Sequence, residues 1–200
     1  MNALRENDHI IIIGDPAGRA EFSHMGAREA IYRLPVSVER LSGAQDELNI
    51  LAPESMLRSL EGEGERLFVE GEVRSFNNRF GAGAKLVISV LARTLCRTDL
   101  DYRNELELRG VVVKPPVYRK TPMGREITDL LVASPRDHRG SDYLPVIAWG
   151  AGAVEAADYS VGDIITLSGR LQSRRYVKNL GDTSEERTAF EISAGEILRG

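Results

Sequence analysis

The two halves of this chain repeat one another. In the first half the apolar residues 10–13 end at Gly14, and in the second half the alternating residues 105–109 end at Gly110; an aromatic residue, Phe22 or Tyr118, follows each glycine eight positions later. Further segments match in the same order: residues 28–29 with 125–126, 46–52 with 142–148, 67–73 with 165–171, and 86–90 with 190–194. Since an internal repeat determines architecture, we expect two copies of one domain, at residues 1–100 and 104–200, joined near residues 98–103.

Each copy has the composition of a β-domain, with short segments rich in Val, Ile and Leu between Gly, Pro, Asn and Asp clusters. An alanine-containing stretch at residues 150–159, matched by residues 54–60, favours a short helix between the third and fourth strands. This order is typical of the OB-fold, a five-stranded Greek-key barrel, so the fold expected is all-β with two tandem OB-folds. The strands expected in the second copy are residues 105–114, 126–133, 143–149, 163–176 and 187–198.

A β-sandwich, or one domain of eleven or twelve strands, is the alternative that periodicity leaves open. The helix in the same place of both halves favours the tandem barrel. Gly71 and Gly169 lie inside the fourth strands, where glycine commonly marks a bulge or a sharp bend.

Composition narrows the class of protein. Of the 200 residues 42% are hydrophobic and 28% charged, which is ordinary for a globular protein and unlike a disordered tail or a fibre. The apolar runs are too short to cross a membrane and no secretory signal is visible, so a cytoplasmic location is expected. One cysteine, Cys96, and three scattered histidines have no metal-ligand spacing, and no metal or other cofactor is expected.

The net charge of -4 argues mildly against coating nucleic acid by bulk electrostatics. Two windows, residues 109–125 and 170–178, nevertheless contain basic side chains and no acid. Their basic residues are Arg109, Lys114, Arg119, Lys120, Arg125, Arg170, Arg174, Arg175 and Lys178.

Three segments of the second copy resemble the bacterial single-stranded DNA-binding proteins. The first strand ends in Gly110, the third is bounded by aromatic residues and ends in Trp149-Gly150, and residues 169–176 follow the pattern G-x-L-x-[ST]-[RK]-x-aromatic. The pattern covers most of residues 104–198 and recurs more faintly in the first copy. The whole chain is therefore similar to a two-barrel member of that family.

The resemblance implies sequence-independent binding of single-stranded DNA on aromatic platforms beside a positively charged groove. The family's stacking positions hold Tyr143, Trp149 and Tyr176. Tyr118 is either a further platform or a barrel-closing residue, and a lone tryptophan such as Trp149 can also belong to a core. The cations expected to contact phosphates or stack on bases are Arg119, Lys120, Arg125, Arg170, Arg174, Arg175 and Lys178.

The first copy departs from this pattern, because Glu47, Pro53 and Asn78 stand at the three aromatic positions. Arg74 and Phe76 are the candidates for a DNA contact there, although a loop aromatic can equally be a mobile hairpin tip. We therefore expect the second copy to carry most of the binding and the first to be partly a scaffold or a pairing surface.

The resemblance also implies partners and an assembly. Relatives with one barrel per chain form tetramers, so two barrels per chain imply a homodimer with four. Many relatives recruit other replication proteins through an acidic C-terminal tip, which residues 196–200 do not provide. The processes implied are DNA replication, repair and recombination, and the partners implied are replication or recombination proteins without recruitment by an acidic tip.

An enzyme is not expected. The glycine-rich residues 81–85 lack the spacing of a phosphate-binding loop, and no catalytic triad order is visible. The main alternative is a protein-interaction module of a replication or mobile-element complex with weak or no DNA binding, which the negative net charge would suit. Binding of RNA in the same groove is a lesser alternative.

Overall fold

The structure is a computed structural model that describes residues 7–78, 86–136, 140–179 and 183–200. The glycine-rich residues 81–85 lie outside this range. The elements in chain order are β1 (Asp8–Pro16), β2 (Glu21–Met25), β3 (Ala30–Glu39), β4 (Gln45–Pro53), α1 (Glu54–Arg58), β5 (Arg66–Asn77), β6 (Leu86–Thr98), β7 (Arg103–Val112), β8 (Val117–Lys120), β9 (Glu126–Pro135), β10 (Ser141–Trp149), α2 (Gly150–Ala157), β11 (Ile164–Asn179) and β12 (Ser184–Arg199).

The described residues form two compact units. The N-terminal unit combines the described parts of Ile10–Asn104 and Gln172–Phe190, and the C-terminal unit combines residues 7–9 with the described parts of Glu105–Leu171 and with Glu191–Gly200. The units depart from the predicted domain limits of 1–100 and 104–200 at these two exchanged segments. That residues 1–100 and 104–200 each fold as a separate domain stays a prediction.

Each unit closes into a barrel with the same strand order. In the N-terminal unit the order is β2-β3-β4-β6-β5-β1, and β1 also pairs with β3 at Asp15 and Ser37. In the C-terminal unit the order is β8-β9-β10-β12-β11-β7, and β7 also pairs with β9 at Val111 and Ala133. One pair in each barrel is parallel, β4 with β6 and β10 with β12. This is the repeated β-architecture that the sequence predicts.

The cores follow the repeat as well. Over part of most strands buried residues alternate with more exposed ones, as in β4 and β7, which is the pattern of a half-buried strand. Equivalent positions of the two halves are buried in both barrels: Leu48 and Leu144, Leu67 and Ile165, Val73 and Leu171.

An ion pair with a buried carboxylate recurs at the same hairpin of each unit. Arg40 Nε donates to Asp46 Oδ2 at 2.7 Å, and Arg136 Nε donates to Asp142 Oδ2 at 2.8 Å. Both aspartate side chains are almost fully buried. Because a buried carboxylate needs a paired charge, the arginine at the turn and the aspartate inside the next strand fix the start of β4 and of β10.

The glycine expected to mark a bulge does so at Gly71, where the register of β5 and β6 shifts. A Cβ atom there would lie 2.2 Å from the carbonyl oxygen of Leu91, and one at Gly169 would lie 2.3 Å from that of Ser193. Both positions therefore exclude any side chain without a shift of the backbone.

The two short helices lie where the repeat predicts them, but each barrel has a sixth strand that the sequence analysis missed. These strands, β2 and β8, lie at a sheet edge and are exposed throughout. The turn after β8 explains its formation: Thr121 N donates to the Arg125 carbonyl, and Gly124 has the positive φ that this turn requires. An edge strand with no buried face has no apolar alternation by which to recognise it.

Candidate nucleic-acid interface

Two exposed aromatic rings lie on one face of β10. Tyr143 is 48% exposed and Trp149 is 38% exposed, and they share this face with Pro145 and Ile147. Leu144, Val146 and Ala148, which alternate with them, are buried inside the barrel. Side chains of one face recur every second residue, and a strand rises about 3.3 Å per residue. The positions of Tyr143 and Trp149 are therefore about 20 Å apart along the strand. Trp149 is therefore a surface residue rather than part of the core.

Trp149 lies in a row that crosses three strands. It pairs with Ile127 of β9, which pairs in turn with Arg119 of β8, and directly paired side chains of a sheet share a face. On the other side, Trp149 Nε1 donates a hydrogen bond of 3.1 Å to the hydroxyl of Ser193 on β12. The hydrogen bond thus holds the indole at the edge that carries Nε1, while the side chain stays partly exposed to solvent.

The cations of the β8–β9 hairpin are mostly paired with acids. Arg119 donates two hydrogen bonds to Asp129, at 2.6 and 3.1 Å, which raise the pKa of its guanidinium. Lys120 lies 3.4 Å from Glu126, and Glu126 also accepts from the hydroxyl of Tyr118 at 2.9 Å. Partial burial, followed by this hydrogen bond, raises the pKa of Tyr118.

Two predicted cations of the C-terminal unit have no carboxylate partner in the described part of the chain. Arg125 lies in the turn after β8 and Arg170 lies on β11, and both are exposed. Each of them can therefore bind a phosphate without first breaking an ion pair with a carboxylate.

Four further predicted residues belong to the N-terminal unit, because the second half of β11 packs with it. Ser173 N donates to Asp46 Oδ1 at 2.7 Å, and Arg175 pairs with Glu47 at 3.1 Å. The guanidinium of Arg174 lies 5.9 Å from the ring centre of half-buried Tyr176, without a carboxylate among the described residues. Lys178 is also on β11, but its side chain lies outside the described part of the structure.

The two candidates on β5 differ from one another. Arg74 is largely buried and pairs with Glu72, which also accepts from Arg93 Nη2 at 2.7 Å. Phe76 is exposed near the end of β5. Its register partner is Val87 of β6.

The predicted residues therefore fall into two groups. The C-terminal unit brings Tyr143 and Trp149 onto one face, with Arg119 in the row of Trp149. Tyr176 and its neighbouring arginines lie in the other unit, as do Arg74 and Phe76. The DNA-binding role of each residue stays a prediction.

The sequence analysis missed an aromatic pair on the N-terminal unit. Phe22 of β2 is 59% exposed, and its ring meets Tyr32 of β3 edge to face with 6.1 Å between ring centres. The repeat placed Phe22 opposite Tyr118, a usable signal. The family's three stacking positions, which fall at Glu47, Pro53 and Asn78 in the first copy, do not include Phe22.

The described residues contain neither a candidate metal-binding cluster nor a helix that could span a membrane. No group of three or more His, Cys, Asp or Glu side chains there could hold a metal ion. Among the same residues, neither α1 nor α2 has the length and apolar character needed to cross a membrane.

Two barrels with exposed rings define a class of protein, the tandem OB-fold binding proteins. Residues 103–199 match the single-strand binding protein family. The single-stranded DNA-binding protein of Clostridium tetani (strain Massachusetts / E88) is 33% identical over an alignment of 101 residues, and the match covers 47% of this chain and 68% of that protein. The chain belongs to the single-strand binding protein family.

Solved structures support the fold over nearly the whole chain. The wild-type single-stranded DNA binding protein from Thermus aquaticus matches with a TM-score of 0.76 at 20% identity, covering 96% of this chain and 92% of that one. A deletion mutant of the same protein matches with a TM-score of 0.74 at 21% identity, covering 96% and 94%. The Thermus protein has two OB-folds per chain, and the predicted tandem OB-fold is confirmed.

Proposed function

We propose that this protein binds single-stranded DNA without reading its sequence, with unpaired bases stacked on Tyr143 and Trp149. Binding of single-stranded DNA is the activity of its family, whose members are binding proteins and not enzymes. The observation that carries the residue assignment is the exposure of both rings on one face of β10.

The chemistry of this face suits any sequence. Every base has a π-face, so stacking on an aromatic ring contributes about 1–3 kcal/mol per base with little preference among bases. Arg125 and Arg170 of the C-terminal unit supply charge for phosphates without first breaking an ion pair within the described residues, and Arg174 does so in the N-terminal unit. Arg119, Lys120, Arg175 and Arg74 can bind a phosphate only by sharing or leaving a carboxylate.

The single tryptophan provides a direct test. We expect oligo-dT to quench the fluorescence of Trp149 and to retard the protein in a gel, while duplex DNA of equal length does neither. The control is Trp149→Phe, which should lose the signal and keep a retarded complex. Unchanged emission without a retarded complex would favour the protein-interaction module, and tighter binding of the matching oligo-U would favour RNA.

A second comparison tests which half of the chain dominates. Trp149→Ala combined with Tyr143→Ala should remove most of the affinity for oligo-dT, because both proposed platforms of the C-terminal unit are lost. Phe76→Ala, a truncation of another exposed ring, should change it little. The reverse ranking would assign the main binding to the first half.

The assembly and the cellular role follow from the same proposal. A homodimer would supply four barrels, and sedimentation at equilibrium tests this by mass. We place the protein in the cytoplasm, acting in DNA replication, repair or recombination beside proteins of those processes, because these processes generate single strands there.

A further inference from the structure

We infer that the N-terminal unit has a base-stacking site of its own, formed by the ring of Phe22. The inference rests on the proposed function and adds a contact to it. Phe22 is more exposed than either Tyr143 or Trp149. The missing aromatic residues at Glu47, Pro53 and Asn78 therefore do not leave the first barrel without a platform.

The ring of Phe22 is held in place although it is exposed. Phe22 pairs in register with Tyr32, and the two ring planes meet at 86°. Edge-to-face aromatic pairs are favourable beyond the area they bury. A ring that is already oriented loses less freedom when a base stacks on it, and this favours binding.

The C-terminal unit has an aromatic residue at the same place in the barrel. Tyr118 of β8 pairs with Thr128 of β9, as Phe22 of β2 pairs with Tyr32 of β3. The hydroxyl of Tyr118 is bound to Glu126, whereas the residue at the corresponding register position of the first barrel is Ala30. The surface around Phe22 therefore lacks this carboxylate, which would repel a phosphate.

The charges near Phe22 identify an unpaired nucleic acid strand as its ligand. Arg19 and Arg28 flank β2 in sequence, are exposed and have no carboxylate partner among the residues that the structure describes. The two nearby acids are already engaged. Glu21 pairs with Arg33 at 2.5 Å, and Glu29 accepts from the backbone and hydroxyl of the first-turn serine of α1 at 2.8 and 3.0 Å.

This combination is the one that single strands require, because rings stack with bases while unpaired cations meet phosphates. An apolar peptide would use the ring and the exposed Met25 but would gain nothing from the two arginines. We therefore assign the site to single-stranded DNA rather than to a protein.

A tryptophan placed at the site reports contact directly. In the full chain carrying Phe22→Trp and Trp149→Phe, we expect oligo-dT of about 32 nucleotides, long enough for two barrels, to quench the remaining tryptophan. Unchanged emission in a complex that a gel shows to be formed would overturn the inference. If the wild-type protein forms no complex and Trp149 is not quenched, the proposed function itself fails.

Substitutions separate stacking from apolar contact. Phe22→Leu should weaken binding of the long oligo-dT by about 5- to 100-fold, the loss of one stacked base, and Phe22→Trp should restore it. Wild-type affinity of Phe22→Leu would overturn stacking at this position. The matched control is Leu41→Ala, which truncates a fully exposed apolar side chain at the β3–β4 turn and should leave the affinity unchanged.

Discussion

At the scale of single residues, Trp149 shows how a surface ring can be both exposed and ordered. Its indole nitrogen donates to Ser193, whose side chain is almost entirely buried. Ser193 touches the edge of the indole and not its face, so we assign it a positioning role. The parallel pairing of Ile147 with Ser193 brings the hydroxyl to this place.

We predict that Ser193→Ala weakens the binding of oligo-dT by about 2- to 10-fold, because a hydrogen bond of about 0.5–1.5 kcal/mol that orients the ring is lost. The fluorescence anisotropy decay of Trp149 in the free protein should become faster, which a purely structural role of Ser193 would not cause. Ser193→Thr keeps the hydroxyl and should restore both properties. Wild-type affinity together with an unchanged anisotropy decay in Ser193→Ala would contradict the positioning role.

The sequence predicts which residues of a strand share a face, but not what lies across from them. The alternation in β10 puts Tyr143 and Trp149 together from local spacing alone. The pairing of Arg119 with Asp129 depends on the hairpin register, and that of Arg175 with Glu47 joins residues 128 positions apart. The acid-free windows of the sequence therefore overestimate the free positive charge.

At the scale of elements, the sequence predicts most strands, because a strand with one buried face alternates apolar and polar residues. It predicts both helices from their matching positions in the two halves. It fails for the exposed edge strands β2 and β8. The predicted limits of 104–200 include residues 172–190, which cluster with the N-terminal unit, and these limits stay a prediction about folding domains. The hydrogen bonds of Ser173 with Asp46 and Glu47 explain this placement, and no local pattern encodes them.

The segment after α2 is anchored to the end of β12 by one aromatic residue. Tyr159 is buried, its hydroxyl donates to Glu155 at 3.1 Å, and the guanidinium of Arg199 lies 4.8 Å from its ring centre. Arg199 is held in turn by Asp163 at 3.2 Å. Burial, followed by the hydrogen bond to Glu155, raises the pKa of Tyr159 to about 12.

This shift predicts a loss of stability in alkali. In the unfolded chain tyrosine ionises near its ordinary pKa of about 10, while in the folded protein Tyr159 stays neutral up to about 12. The unfolded state therefore gains free energy from ionisation first, and the free energy of unfolding falls as the pH rises through this window. Urea unfolding of the wild type should show this fall, and Tyr159→Phe should show a smaller one because phenylalanine cannot ionise. Equal falls in both proteins would contradict the anchoring role of a neutral Tyr159.

At the scale of the whole molecule, charge is compensated within the protein. The net charge is -4, and four of the predicted phosphate contacts already have a carboxylate partner: Arg74, Arg119, Lys120 and Arg175. A phosphate that reaches one of these cations replaces a carboxylate, so little net charge is neutralised. Affinity should then depend more on stacked rings than on the release of counterions.

This balance predicts an unusually weak dependence of binding on salt. For single strands the logarithm of the affinity falls with the logarithm of the salt concentration with a slope of about -0.7 per phosphate neutralised. With Arg125, Arg170 and Arg174, together with Arg19 and Arg28 beside β2, as the cations free of carboxylates among the described candidates, we expect a slope of about -3.5 for long oligo-dT. A slope of about -5 or steeper would mean that the paired cations bind phosphates as well.

A matched pair of variants tests whether the pairing of cations with carboxylates causes the weak salt dependence. Asp129→Asn releases Arg119 on the face of Trp149, and the slope should steepen by about 0.7 because one more phosphate is neutralised. Glu54→Gln removes one negative charge as well, but it releases Arg58 on α1, where no DNA contact is proposed. The two carboxylates are about equally exposed, at 37% and 34%. If the net charge alone governed binding, both variants would change the slope by the same amount. If Asp129 keeps Arg119 from phosphates, only Asp129→Asn changes the slope.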